Sequence, residues 1–256
     1  MTQCKPEKIK LLSNNHQEIC REVRKRLKEA KQVVAFTGAG ISQESGIPTF
    51  RGSDGLWENY RIEEVATPEA FESNPTLVWD FYRARRKTAI LAKPNPAHLA
   101  IASWEARFDF SGVVTQNIDG LHAKSGSKNI QELHGSLWKN RCTNCDFLTD
   151  DFSLEAAELP KCCQCGALLR PHIVWFGEAL DLMVIQKSLA WMREADMIFI
   201  IGTSGVVEPA ASFVREAKLY GACLVEVNTE ETALTHAADF SIFAPCGQVF
   251  KEWINE

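Results

Sequence analysis

The sequence predicts an α/β fold, one parallel sheet interrupted by two insertions, and three observations predict it. Short apolar runs recur at Gln32 to Thr37, Phe110 to Thr115, Met197 to Ile201 and Ala222 to Val227. Helix-compatible stretches lie among them at Pro96 to Arg107, Ile185 to Glu194 and Ala210 to Leu219, the alternation expected of strands buried on both faces of a parallel sheet. Two stretches break it: Ser53 to Pro94, rich in prolines and aromatics, and Arg141 to Arg170, which holds clustered cysteines.

Taken in order, residues 1–14 lack periodicity and are expected to be a loose leader. Ile19, Val23, Leu27 and Ala30 then recur every three or four positions among Glu18, Arg21, Arg24, Lys25 and Lys28, which predicts an amphipathic helix. The run Gln32 to Thr37 ends in Gly38-Ala39-Gly40, a buried strand turning into a glycine-rich loop. The chain has 256 residues, 45% hydrophobic and 24% charged, enough for one large domain with a sizeable insertion and outside the disordered and fibrous classes. Its 28 basic and 33 acidic residues give a net charge of −5, which is no chain-wide nucleic-acid footprint. No run approaches the roughly 18 apolar residues of a membrane span. Met1 to Leu12 carries Lys5, Glu7, Lys8 and Lys10 where a secretory signal needs an apolar core. Nine cysteines are an odd count for a secreted disulfide framework. A cytoplasmic location is therefore expected, with no membrane partner.

The chemistry gathers at strand ends, where open α/β sheets bind ligands. Gly38-Ala39-Gly40-Ile41-Ser42-Gln43 keeps two of the three glycines of a dinucleotide loop, with Gln43 in place of the third. It can bring backbone N–H groups close to a pyrophosphate, though alone it fits a tight turn equally well. Thr115 runs into Gln116-Asn117-Ile118-Asp119-Gly120-Leu121-His122, whose amides and carboxylate can orient a ribose or an amide ligand. Ile201 runs into Gly202-Thr203-Ser204-Gly205, and Val227 into Asn228-Thr229-Glu230. Each segment read singly fits turn and cap chemistry; four in one sheet point to a nucleotide. His134-Gly135 adds a side chain whose ordinary pKa suits a general base. Cys142-x2-Cys145 and Cys162-x2-Cys165, separated by sixteen residues, have the spacing of a four-thiolate zinc site, with Cys163 inside the second knuckle. A complete thiolate set leaves no open position for substrate, so the zinc is expected to be structural.

Together, Gly38 to Ser42, Gly46-Ile47-Pro48-Thr49-Phe50-Arg51, Thr115 to His122, His134-Gly135, the two cysteine pairs, Gly202-Thr203-Ser204 and Val227-Asn228 resemble the sirtuins, NAD-dependent protein-lysine deacylases. The resemblance spans about residues 31–250. It implies a Rossmann-like NAD-binding domain from residues 31–52, 97–138 and 173–256, a helical module at 53–96, a zinc-ribbon module at 139–172, and an N-terminal extension and helix at 1–30. In the family's reaction the acyl oxygen attacks the nicotinamide ribose and nicotinamide leaves. The histidine matching His134 then deprotonates a ribose hydroxyl, and free lysine and O-acyl-ADP-ribose form. Carried over by position, His134 and Asn117 are catalytic. Ala39, Phe50, Arg51, Gln116, Asn117 and Asp119 surround the nicotinamide ribose, and Gly38, Gly40, Ser42, Trp57 and Ile118 also bind NAD. Gly202, Ser204 and Asn228 hold its phosphates and adenosine ribose, Thr203, Thr229 and Glu230 also bind it, and Cys246 lies near the adenine. His172 to Glu178 resembles the segment that pairs with the substrate backbone, which assigns Val174, Phe176, Gly177 and Glu178 to the acyl-lysine peptide.

In Trp79 to Arg86, Tyr82 and Arg85 are three apart on a predicted helix and share a face. Spacing alone fits a solvated basic face. A guanidinium beside a phenol can also hold a carboxylate, and the segment is similar to the Tyr-x-x-Arg of sirtuins that remove succinyl, malonyl and glutaryl groups, the mitochondrial desuccinylase type and its bacterial relatives. The expected activity is removal of succinyl and malonyl groups, and of glutaryl groups, with some deacetylation, by a monomer that does not bind nucleic acid. The alternatives are a plain NAD-dependent deacetylase, a mono-ADP-ribosyltransferase, or a noncatalytic zinc-ribbon module suggested by the knuckles and the basic helix Arg21 to Lys31.

Overall fold

The computed structural model describes residues 14–49, 56–57, 60–155, 158–251 and 253, with side chains from residue 17 and none at 56–57. Phe50, Arg51 and the Trp57 side chain, assigned above to NAD, lie outside the described residues, as does the leader up to residue 13.

Among those residues, six strands form one parallel sheet in the order Phe240–Phe243, Cys223–Asn228, Met197–Ile201, Gln32–Thr37, Phe110–Thr115, Ile130–Glu132. The four inner strands are the four apolar runs, with Cys223–Asn228 starting one residue later than its run. The two edge strands escape sequence reading because they are short and partly polar: Ile130-Gln131-Glu132 offers a single aliphatic residue. Side chains alternate across the sheet, as a period of two requires. Val33, Ala35, Phe199 and Ile201 join Trp104 and Phe250 on one face, while Val34, Phe36, Ile198 and Ile200 join Met192, Phe213 and Val214 on the other. The helix Asn14–Glu29 closes the first face with Cys20, Val23 and Leu27.

The strand Gln32–Thr37 is followed in sequence by its neighbour on one side and, later, by its neighbour on the other. Loops leaving the two sides therefore diverge, and a crevice opens at the C-terminal strand ends.

The first insertion has a short antiparallel pair, Leu56–Trp57 with Tyr60–Arg61, followed by the helices Ile62–Val65, Pro68–Ser73 and Pro75–Leu91. Two of its prolines, Pro68 and Pro75, start helices. Thr67 and Asn74 accept N–H bonds from Ala70 and Leu77, with proline at the first helical position of each. The second insertion is a three-stranded antiparallel sheet of Leu148–Asp150, Gly135–Cys142 and Leu169–Ile173. Its central strand starts at Gly135, ahead of residue 139, so one strand runs from the large sheet's edge to the first cysteine. Gly135 takes φ +77°, and a Cβ there would lie 2.0 Å from the His172 carbonyl oxygen, so glycine is needed where the chain leaves His134. No helix of the described residues is long and apolar enough to cross a membrane.

Candidate active site

A cleft of about 650 Å3 lies between the C-terminal ends of the parallel strands and the two insertions. On the large-domain side, the loop after Gln32–Thr37 lies directly on the loop after Met197–Ile201. Gly38 and Gly40 donate to Ile201 O and Gly202 O at 3.0 and 2.8 Å. A Cβ on Gly40 would stand 2.7 Å from Gly202 Cα, and one on Gly202 2.3 Å from Ile41 N. These glycines thus serve loop-on-loop packing first; the backbone they leave bare faces the cleft.

The segment after Phe110–Thr115 crosses this floor. Asn117 Nδ2 donates to Gly38 O at 3.1 Å and to Ser42 Oγ at 3.2 Å. The Ser42 hydroxyl donates to Asp119 Oδ2 at 2.7 Å, and Leu121 N–H to Asp119 Oδ1 at 2.8 Å. Burial pushes the Asp119 carboxyl above its ordinary pKa, against the pull of those donors. Gln116 Nε2 donates to Thr203 Oγ1 at 2.9 Å, tying two of the predicted strand ends together.

His134 follows the edge strand, held by Leu133 N–H on Thr115 O and by Val174 N–H on its own carbonyl. Its Nδ1 lies 3.0 Å from Gln116 O. A carbonyl can only accept, so Nδ1 carries the proton and Nε2 the lone pair. Burial lowers the His134 pKa, and the bond to Gln116 opposes that only in part. The ring is a neutral base in the cleft wall.

Beneath the floor lies a buried chain that sequence reasoning did not assign. The Thr37 hydroxyl donates to Thr115 Oγ1 at 2.8 Å and accepts from His122 Nε2 at 2.9 Å, while Thr115 Oγ1 accepts the Asn117 N–H at 3.0 Å. His98 stacks obliquely on His122 with ring centres 5.0 Å apart. Burial lowers His98 to about 4 and His122 well below its ordinary value. His122 was visible as the end of the Gln116 to His122 run; nothing in the sequence singled out His98.

The opposite wall comes from the helix Pro75–Leu91 and the loop after Leu169–Ile173. Tyr82 and Arg85 both line the cleft, followed one turn on by Thr88 and Ala89. Tyr82 is fully buried and accepts the Trp175 indole N–H at 2.9 Å; burial raises its phenol. Arg85 is half-buried over the Phe81 ring, 5.7 Å from its centre. Val174, Phe176, Gly177 and Glu178 also line the cleft. Glu178 takes two 2.7 Å bonds from Arg170, one of 2.8 Å from Arg141 and one from Trp175 N–H. Burial alone would raise this carboxyl, but the Arg170 bonds outweigh it and hold it below its usual range. Its role in the structure is to pin the loop that carries Trp175 and Phe176.

Gly38, Ala39, Gly40, Ser42, Gln116, Asn117, Ile118, Asp119, Gly202, Thr203 and Ser204 are thus brought together in one cleft with His134. Among the described residues, Asn228, Thr229, Glu230 and Cys246 stand outside its lining. Asn228 is buried and bonds Thr203 O at 2.9 Å, so it shapes the loop that does line the cleft. Thr229 and Glu230 are exposed. Cys246 is buried against Glu44, its thiol pushed up by burial.

In the second insertion, the Sγ atoms of Cys142, Cys145, Cys162 and Cys165 all lie within 4.8 Å of one another. Cys142 to Cys165 is 3.4 Å and Cys145 to Cys162 is 3.7 Å. A zinc ion bound at about 2.3 Å to four sulfurs needs edges of about 3.8 Å, so the four thiolates fit a tetrahedral zinc. Cys163 is exposed and stands apart from the cluster.

Comparison with known proteins places this geometry. The model of the Sir2 family matches residues 38–209. An NAD-dependent protein deacylase of Pyrococcus furiosus is 48% identical over 92% of this chain and 96% of its own length. A crystal structure of a Sir2 homologue in complex with NAD superposes with a TM-score of 0.87 at 45% identity, covering 92% of both chains. A Sir2 in complex with a p53 peptide and NAD+ gives a TM-score of 0.79 at 31% identity, over 92% of this chain and 97% of that one. On the match of the family model, the near half-identity and the shared fold, this chain belongs to the Sir2 family.

Proposed function

We propose that the chain is an NAD-dependent protein-lysine deacylase that prefers succinyl and malonyl groups, and takes glutaryl, over acetyl, working as a cytoplasmic monomer on acyl-lysine proteins or peptides. The observation that carries the acyl preference is that Tyr82 and Arg85 line the same cleft as His134. A guanidinium on a helix face beside a buried phenol recognises a negatively charged acyl tail, which a neutral acetyl group lacks.

The floor residues suit NAD by their chemistry. Asn117, Ser42 and Asp119 form one bonded group in which amide and carboxyl functions sit beside bare glycine backbone. NAD, when bound, supplies the ribose carbon from which nicotinamide is displaced. His134 offers the unprotonated Nε2, oriented by the Nδ1–H bond to Gln116 O, to take a proton from a hydroxyl. The bond from Gln116 to Thr203 keeps the nicotinamide-side loop in register with the phosphate-side loop. Phe176, 51% exposed at the cleft, shields its mouth. Cys142, Cys145, Cys162 and Cys165 would hold a zinc ion that braces the module against which the acyl wall packs.

The test is a panel of peptides identical except for the acyl group on one lysine, each with NAD, following nicotinamide release and O-acyl-ADP-ribose. Higher kcat/KM on succinyl and malonyl than on acetyl is expected; acetyl turnover equal to or above both would overturn the preference. Labelled NAD whose label ends on protein, with no soluble acyl product, would indicate mono-ADP-ribosyl transfer instead.

A further inference from the structure

Arg85 is followed by an arginine that does not face the cleft. Arg86 is 1% exposed and all three of its guanidinium nitrogens are bonded. Nε donates to Leu137 O at 2.6 Å, Nη1 to Asp151 Oδ2 at 2.8 Å and Ser153 O at 3.2 Å, and Nη2 to Asn140 Oδ1 at 2.8 Å. Asn140 Nδ2 closes the triangle on Asp151 Oδ2 at 2.6 Å. Each of those partners belongs to the strand Gly135–Cys142 or to the chain just after Leu148–Asp150. Leu137 lines the cleft and donates its own N–H to Ile118 O at 2.9 Å, beside Asn117 and Asp119.

One covalent step therefore separates the acyl-facing guanidinium from a guanidinium locked to the catalytic-edge strand. The helix packs through Val78, Trp79, Phe81, Tyr82 and Ala89, and its rotation sets where the Arg85 guanidinium lies. Trp79 Nε1 on Leu169 O at 3.0 Å and Tyr82 on Trp175 restrain the same helix, but each is a single bond. Arg86 holds it through several in a fork whose plane fixes the angle. A guanidinium about 6 Å from the axis moves about 1 Å for every 10° of rotation, enough to spoil a bidentate contact.

We infer that Arg86, through Leu137, Asn140 and Asp151, is a positioning residue for acyl selection: it sets the rotation of the Pro75–Leu91 helix, and hence where Arg85 meets a carboxylate-bearing acyl group. This rests on the proposed dicarboxylic preference. Arg86 lies outside the cleft lining, so its removal changes which acyl group is preferred more than it changes turnover itself.

The experiment uses the full chain with NAD and paired succinyl- and acetyl-lysine peptides of one sequence. Arg86→Lys keeps the charge and loses the fork. Succinyl KM is expected to rise about 10-fold, with acetyl kcat/KM and the KM for NAD within about 3-fold of the parent. Asp151→Asn, which keeps shape and removes the charged acceptor, gives the same direction with a smaller effect, and decides the question if Arg86→Lys does not fold. Equal losses on both peptides would reduce Arg86 to a purely structural role and overturn the inference, as would an unchanged preference. Arg85→Met is run alongside. If it loses succinyl preference while both Arg86→Lys and Asp151→Asn keep it, the inference fails and the proposed function stands. If Arg85→Met costs both peptides equally, the proposed function fails with it.

Discussion

The Trp175 indole N–H donates to the Tyr82 hydroxyl across 2.9 Å, between residues 93 apart in the chain. The phenol of the acyl wall is thereby fixed by the loop that presents the neighbouring Phe176 to the cleft mouth. Removing the hydroxyl leaves a buried indole N–H without its acceptor, worth about 1–3 kcal/mol. Tyr82→Phe is expected to lower the urea midpoint accordingly and to raise KM on succinyl peptide more than on acetyl peptide. A variant as stable as the parent would show that the bond carries no weight in solution.

Arg85→Met removes the cation and keeps the hydrophobic stem. A buried carboxylate losing its charged partner costs about 2–5 kcal/mol, which is on the order of 30-fold or more in kcat/KM. That loss is expected on succinyl and malonyl peptides, with acetyl turnover kept. Parallel loss on all three would place the acyl carboxylate elsewhere.

His134 is neutral in the cleft because burial lowers its pKa. The base form therefore persists as pH falls below the usual histidine range, and the acid limb of kcat is expected below 6.5, the ordinary histidine value. His134→Tyr is expected to abolish turnover and leave the circular dichroism spectrum unchanged. Residual activity with the parent's pH profile would assign the base to another group.

The buried pair His98 and His122 makes stability depend on acid in a defined direction. Both pKa values are lowered in the fold, His98 from 6.5 to about 4, so the unfolded chain binds more protons over that interval. Stability is full above about pH 6.5 and falls as pH drops toward about 4, at up to about 1.4 kcal/mol per pH unit for each ring. Urea midpoints measured from pH 7.5 to 4.5 should show this slope, and His98→Gln should flatten it. An unchanged slope in that variant would locate the protons elsewhere.

Zinc is expected at one ion per chain. Chelation or Cys142→Ser should lower the melting temperature and release the metal, whereas Cys163→Ser, at an exposed position outside the cluster, should change neither. Loss of zinc on Cys163→Ser would redraw the ligand set.

What the sequence made legible follows burial. Strands covered on both faces are mostly apolar and were located to within a residue, although Ser111 and Glu226 are buried within them; the edge strands Ile130–Glu132 and Phe240–Phe243 are only three and four residues long and left no such trace. Thr67-Pro68 and Asn74-Pro75, inside the proline-rich stretch Ser53 to Pro94, are helix starts, since proline marks those as readily as turns. Motif-borne residues such as Gly38, Asn117, Asp119 and His134 met in the cleft as expected. Contacts between distant segments, Tyr82 with Trp175, Arg86 with Asp151, and His98 with His122, depend on how the insertions fold back, and no local pattern encodes them. Asn228, assigned to the adenosine ribose, donates one amide N–H to the Thr203 carbonyl, a contact its own neighbourhood in the sequence does not reveal.

The strand Gly135–Cys142 joins the residue after the imidazole base to the first thiolate without a break. A zinc ion held by the four thiolates would thus be linked to the reaction centre through one strand, whose pairing with Leu169–Ile173 shifts register between Gly135 and Asn140. Stripping the ion should accordingly be felt at His134 as a loosened ring, detectable as line broadening of its imidazole resonances, before the parallel sheet begins to melt.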